Sequence, residues 1–140
     1  MIQSSLYSRL GGHEAIKAVI EDFVGRCAGD SRINGKFART DVPRLKAMLA
    51  DQVCMASGGP CTYAGRDMAE THSGMGVTAG EFDALVEDLV ATLDQFNVPK
   101  AEQGELLGLL SPMRPDIVEV ESPETGTALP ASYQTAPAIA

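Results

Sequence analysis

His13 and His72 are the only histidines of the chain, and imidazole is the side chain best suited to hold a transition metal at neutral pH. His13 follows Gly11-Gly12 at the start of a helical pattern, the setting of an exposed first-turn residue. His72 lies in a loop rich in small residues between two apolar helical segments. That setting suits a hydrogen-bonded loop histidine or a metal ligand. The three cysteines, Cys27, Cys54 and Cys61, contain no C-x-x-C pair. Cys54, Cys61 and His72 could gather around zinc, but their C-x6-C-x10-H interval matches no common zinc module. An odd cysteine count and an N-terminus without a signal-peptide core favour reduced thiols and a cytoplasmic location. Ser57 and Ser73 lack a G-x-S-x-G context, and neither H-E-x-x-H nor a phosphate-binding glycine loop occurs. No residue is therefore assigned to acid–base or nucleophilic catalysis. Gln52 is the single strongly polar residue on an apolar helical face. It either bends out to solvent or points a donor into an apolar pocket, where one placed polar group sets ligand preference.

The elements that must position these groups read as helices. A short segment, Leu6 to Leu10, stops at Gly11-Gly12, which permit a sharp reversal. From His13 to about Ala28, Ile16, Val19, Ile20, Phe23, Val24 and Cys27 recur on one helical face. Ile33 and Phe37 anchor the turn-rich stretch that follows. Asp41-Val42-Pro43 is a capped start for a third helix with Leu45, Met48, Leu49, Gln52, Val53 and Ala56 on its face. Gly58-Gly59-Pro60 ends it, and a loop runs from Cys61 to about Val77. Thr78-Ala-Gly-Glu81 is a capping-box pattern. It opens a helix with the stripe Phe82, Leu85, Val86, Leu89, Val90, Leu93 and Phe96. A last helix runs from Pro99 to about Leu110, with Pro112 and Pro115 limiting its continuation. Sustained period-two alternation is missing, so the fold class is all-α.

Composition narrows the partners. Aromatic residues are 5% of the 140, without Trp, so Ala, Val, Leu, Ile and Met must supply the core, and a large bound cofactor is one way to replace aromatic bulk. A net charge of −8 argues against nucleic acid and anionic membrane surfaces. No apolar run reaches transmembrane length. Residues 1–120 read as one domain and 121–140, with three prolines and no Lys or Arg, as a flexible tail.

The ordered motifs identify a resemblance. Gly11-Gly12 after LYSRL, Phe23, Phe37, the Gly58-Gly59-Pro60 stop, and the run from Tyr63 through Gly-Arg66-Asp-Met68 to His72-Ser-Gly-Met-Gly-Val77 precede Phe82-Asp-Ala-Leu85. This order resembles the group 1 (N-type) truncated haemoglobins over about Leu6 to Val118. The resemblance implies a two-over-two helical sandwich around haem b, with the four long helices as the family's B, E, G and H helices. His72 aligns with the proximal iron ligand, and Phe37 with the phenylalanine that packs on the porphyrin. Met68, Val77, Phe82 and Leu85 match positions lining the haem pocket, and Arg44 and Arg66 are candidates for propionate pairing. The distal wall would comprise Phe23, Val24, Leu45, Met48, Leu49 and Gln52.

That wall departs from the better-known pattern. Val24 stands where a tyrosine often donates to bound oxygen, and Leu45, Met48 and Leu49 occupy positions where relatives carry Gln or His. The wall is expected to be apolar unless Gln52 turns inward, and the ferrous haem five-coordinate unless Met48 reaches the iron. The implied function is binding of diatomic gases (oxygen, carbon monoxide, nitric oxide) by a monomer. Nitric oxide oxidation or nitrite reduction would need an electron donor outside the chain. A haem-based gas or redox sensor acting through a partner is the alternative, and a cofactor-free helical interaction domain a third reading.

Overall fold

The computed structural model describes residues 5–37, 41–62, 72 and 74–127. Helix α1 (Leu6–Arg9) is capped by Ser5, whose side chain accepts from the Ser8 amide. Helix α2 (Gly12–Gly29) buries Ile16, Ile20, Phe23, Val24 and Cys27, the face expected from their spacing. A 3-10 turn, Asn34–Phe37, follows. Helix α3 (Val42–Ala56) starts at Asp41, whose carboxylate accepts from the Arg44 amide, with Pro43 in the first turn.

Helix α4 (Ala79–Gln95) has the full capping box: the Thr78 hydroxyl accepts from the Glu81 amide and the Glu81 carboxylate from the Thr78 amide. Its stripe buries Phe82, Leu89 and Leu93, but Phe96 is the C-cap and stands 40% exposed. Helix α5 (Lys100–Leu110) buries Gln103 and Leu106. The two prolines that were expected to end it instead sit in the first turns of new elements. These are a 3-10 turn, Ser111–Met113, and helix α6 (Arg114–Ile117). Proline is tolerated there because the first-turn amides need no intrahelical acceptor.

Helix α2 packs on α3 and α4, and α1 on α2 and α5. The core they share is aliphatic, with Leu93, Ile16, Leu106 and Ile20 each at most 3% exposed. Burying such a side chain contributes about 1.5–3 kcal/mol. Polar ties fix the pairings. The Asp22 carboxylate on α2 accepts from Thr92 Oγ1 on α4 at 2.8 Å and from Arg26 at 2.7 Å, and those donors hold its pKa below the usual carboxylate range. Arg9 on α1 pairs with Glu102 and Glu105 on α5. Among the described residues there is no β-strand, only a single parallel bridge between Thr78 and Val120.

Two expectations need correction. Cys54 and Cys61 are not free thiols but form a disulfide. After α3 the chain turns back at Gly58-Gly59, which brings the two Cα atoms within 5.7 Å. Gly59 is required there, since a Cβ would lie 2.4 Å from the Tyr7 ring and 2.8 Å from the Cys54 sulfur. Only Cys27 remains a free cysteine, and it is buried.

The second concerns the tail. Its first residues, 121–127, are held as a strap across the start of α4. The Gly80 amide donates to Ser122 O, the Thr78 hydroxyl to Glu124 O, and the Gly126 amide to Arg32 O. Thr127 donates through both its amide and its hydroxyl to Glu81, at 2.8 and 2.7 Å. The remainder of the expected tail, 128–140, lies outside the described residues.

Candidate functional site

The helix faces converge on one apolar cavity. Helix α2 contributes Val19, Ile20, Phe23, Val24, Cys27 and Ala28, and α3 contributes Leu45, Met48, Leu49, Gln52, Val53 and Ala56. Phe37 and Val42 close the side between them. Leu85 and Leu89 of α4, Leu106, Leu109 and Leu110 of α5, and Met113 and Ile117 beyond it complete the wall. His72 is also in the lining. Only His72 and Gln52 bring a strongly polar side chain to it.

Several candidates therefore share one space: Phe23, Val24, Phe37, Leu45, Met48, Leu49, Gln52, His72 and Leu85. Others stand elsewhere. Arg44 is exposed in the first turn of α3. Phe82 is buried with the Arg114 guanidinium 5.4 Å from its ring centre, and Val77 is buried where its carbonyl accepts from Glu119 and Val120. None of these three is in the cavity lining. Arg66 and Met68 lie outside the described residues.

Val24, 4% exposed, presents no hydrogen-bonding group to the cavity. Gln52 is half-buried, and its side-chain amide donates to the Met113 thioether at 3.9 Å. A thioether is a weak acceptor. The structure adds Cys27, which the spacing alone placed as a core residue. Burial, then the charges of Asp88 and Asp30, push its thiol up to about 12, so it faces the cavity as a neutral S–H. Met113 and Ile117 were not anticipated either, because they follow two prolines at which the helix was expected to end.

The lining fits haem in its chemistry. A macrocycle needs apolar walls and one imidazole on the iron side, and the cavity offers both. A bare cation would find a single nitrogen ligand among the described lining residues, too few for a structural zinc site. The zinc grouping of Cys54, Cys61 and His72 is set aside, since both sulfurs are spent on the disulfide. Donor atoms of His13, Asp51 and Cys61 do lie within 4.8 Å of one another, but the Cys61 sulfur is that same disulfide sulfur.

Comparison with known proteins gives the same direction. The family model for bacterial-like globins matches residues 5–119. A group 1 truncated haemoglobin of Mycolicibacterium paratuberculosis is 35% identical over 119 residues, covering 85% of this chain and 88% of that one. The crystal structure of the truncated haemoglobin of Tetrahymena pyriformis in its Fe(III) form superposes with a TM-score of 0.79 at 33% identity, covering 82% of this chain and 98% of the other. The 2/2 haemoglobin of a Synechococcus species, solved in the cyanomet state with covalently attached haem, gives 0.78 at 33% identity over the same shares. The all-α chain, with its apolar cavity and single lining imidazole, thus belongs to the bacterial-like globin family as a group 1 truncated haemoglobin, a fold whose prosthetic group is haem b.

Proposed function

We propose that this chain holds haem b through His72 and binds diatomic gases (oxygen, carbon monoxide and nitric oxide) against a largely apolar distal wall. The observation that carries this reading is the shared lining of one cavity by His72 and by the Val24, Leu45, Met48 and Leu49 faces. Haem, when bound, supplies an iron with one position for a small gas. The rest is the work of the chain. The His72 imidazole serves as proximal ligand in its neutral form, one ring nitrogen toward the metal and the other free to donate and so set the ring's orientation. Phe37 and Leu85 pack on the ring system. Val24, Leu45, Met48 and Leu49 exclude water from the gas side, and Gln52 is the one amide there able to donate. With no distal histidine, the ferrous protein is five-coordinate; Met48 acts as packing rather than as a ligand. Arg44 and Arg66 are assigned to the haem edge as propionate partners, and Met68, Val77 and Phe82 to the outer support of the pocket. The protein acts as a monomer, without nucleic acid or membrane partners.

Turnover of nitric oxide or nitrite would need a separate electron donor, so gas binding is the primary role. A second reading, a redox sensor, is favoured by the Cys54–Cys61 disulfide at the end of α3, the helix that supplies much of the distal wall. In a cytoplasmic setting that bond would open under reducing conditions.

The test is spectroscopic. The purified, haem-supplied protein should show a Soret band and a five-coordinate ferrous spectrum. His72→Gly should abolish the iron–imidazole signature, and added imidazole should restore it. A Soret band and ligand-field spectrum indifferent to His72→Gly would sink the assignment.

A further inference from the structure

The loop on the C-terminal side of His72 is Gly74-Met75-Gly76-Val77. Both glycines have positive φ, 82° and 69°, a left-handed backbone that side chains other than glycine's rarely adopt. This conformation turns the Gly74 and Gly76 amides toward one point, a small anion-binding concavity of backbone N–H groups. The occupant is a side chain from 43 residues further on: the Glu119 carboxylate accepts from the Gly76 amide at 2.7 Å and from the Gly74 amide at 3.0 Å. Each of its oxygens takes one amide, so the carboxylate bridges the loop.

The surroundings reinforce that bridge. The Met75 amide donates back to His72 O at 3.1 Å, tying the loop to the histidine's own backbone. Lys36 Nζ donates to Met75 O at 2.9 Å in a buried contact. Lys36 also lies 3.7 Å from the Glu81 carboxylate, with both side chains at most 5% exposed. On the Glu119 side, the amides of Glu119 and Val120 donate to Val77 O at 2.9 and 3.1 Å, and the Ala79 amide to Val120 O at 3.0 Å. Charge-assisted hydrogen bonds are about twice as strong as neutral ones, so the carboxylate is the strongest link between this loop and the segment after α6.

We propose that Glu119 is a positioning residue for His72: by bridging the Gly74 and Gly76 amides it fixes the loop through which the His72 backbone, and so the imidazole, is held toward the haem. Glu119 does not touch the cavity; it acts through the loop. The inference rests on the reading of His72 as proximal ligand, and its test separates the two. Groups that orient a metal-ligating histidine typically change metal affinity ten- to a hundredfold when removed.

The experiment uses the full haem-loaded chain and the variants Glu119→Ala, Glu119→Gln and His72→Gly. Glu119→Ala should release haem to a scavenging apo-globin about tenfold faster and shift the ferrous iron–imidazole stretching band. It should also speed hydrogen exchange at the Gly74 and Gly76 amides. Glu119→Gln, which keeps one carbonyl acceptor, should lie between the alanine variant and wild type in all three. Unchanged exchange at Gly74 and Gly76, or an unshifted stretching band in Glu119→Ala when His72→Gly abolishes that band, would overturn the positioning role. If His72→Gly leaves the band in place while the Glu119→Ala exchange rates rise, the clamp stands as loop geometry and the proximal assignment of His72 fails, taking the positioning role with it. If Glu119→Ala is too unstable to hold haem, the glutamine variant alone carries the band and exchange readings.

Discussion

Val24 decides what a bound gas meets on the distal side, because it gives the wall a methyl face where a donor would otherwise stand. A hydrogen bond to a partly charged ligand contributes about 1.5–3 kcal/mol, which corresponds to roughly ten- to a hundredfold in lifetime. Val24→Tyr should therefore slow oxygen release by about tenfold or more, with a smaller effect on carbon monoxide, as stopped-flow displacement would record. Gln52→Leu should do the reverse; an unchanged rate would leave the Gln52 amide with Met113 rather than with the gas. These positions were legible because a single helical period places Val24 on α2 and Gln52 on α3. Cys27 was legible as core but not as pocket wall, since periodicity gives a face and not its depth. A second residue-scale effect lies at Asp88. Burial, then its contact with Asp30, raises the Asp88 carboxyl to about 6, while hydrogen bonds from Arg32 hold Asp30 at about 2. A carboxyl raised on folding contributes stability that is complete below its ordinary pKa near 4 and is lost as pH rises through 6. Asp88→Asn, neutral throughout, should be more stable than wild type at pH 8 by on the order of 1–2 kcal/mol. That gain should vanish at pH 4. Urea midpoints at the two pH values check this, and an equal gain at both would reject the assignment. Asp30 has the opposite sign, losing its contribution only as pH falls toward 2.

At the scale of elements, the starts of the helices were easier to read than their ends. Asp41 and Thr78 announce α3 and α4 because their side chains satisfy amides that no carbonyl of the helix can reach. The prolines after Leu110 mislead, since the same residue can stop one helix or begin the next. The disulfide and the strap were not legible for a shared reason: both depend on where distant or turning chain returns in space. Cysteine count and the lack of an export signal speak of compartment, whereas the Gly58-Gly59 reversal decides whether the sulfurs meet. The closed loop is short, with a sequence separation of 7, so the chain-entropy contribution is about 2 kcal/mol. Cys61→Ser should therefore lower the melting temperature by several degrees, on the order of what that figure implies for a domain of this size. Dithiol reduction should lower wild type equally and leave the variant unmoved. A reductant effect that persists in Cys61→Ser would place the redox response elsewhere, with Cys27 the remaining thiol.

The whole molecule joins the two scales. Its aliphatic composition first suggested that something other than aromatic side chains completes the core. The fold gives that a definite form: α2, α3, α4 and α5 turn Val24, Leu49, Leu89 and Leu106 toward one shared cavity, while Leu93, Ile16 and Ile20 fill the packed layer behind it. The family's prosthetic group would therefore be in contact with four helices at once, and a group that binds only the folded chain stabilises it by mass action. At a free haem concentration a thousand times the dissociation constant the gain is about 4 kcal/mol, or on the order of 10 °C in melting temperature. Calorimetry of the haem-free chain titrated with ferric haem should show the transition rise and sharpen, since ordering one shared wall orders all four helices together. His72→Gly should retain part of that rise, because the apolar wall remains, and lose the part that ligation adds. A transition that stays put on titration, in a chain that still shows the helical far-ultraviolet spectrum, would mean that the cavity wall is complete in itself and that haem does not bind in it.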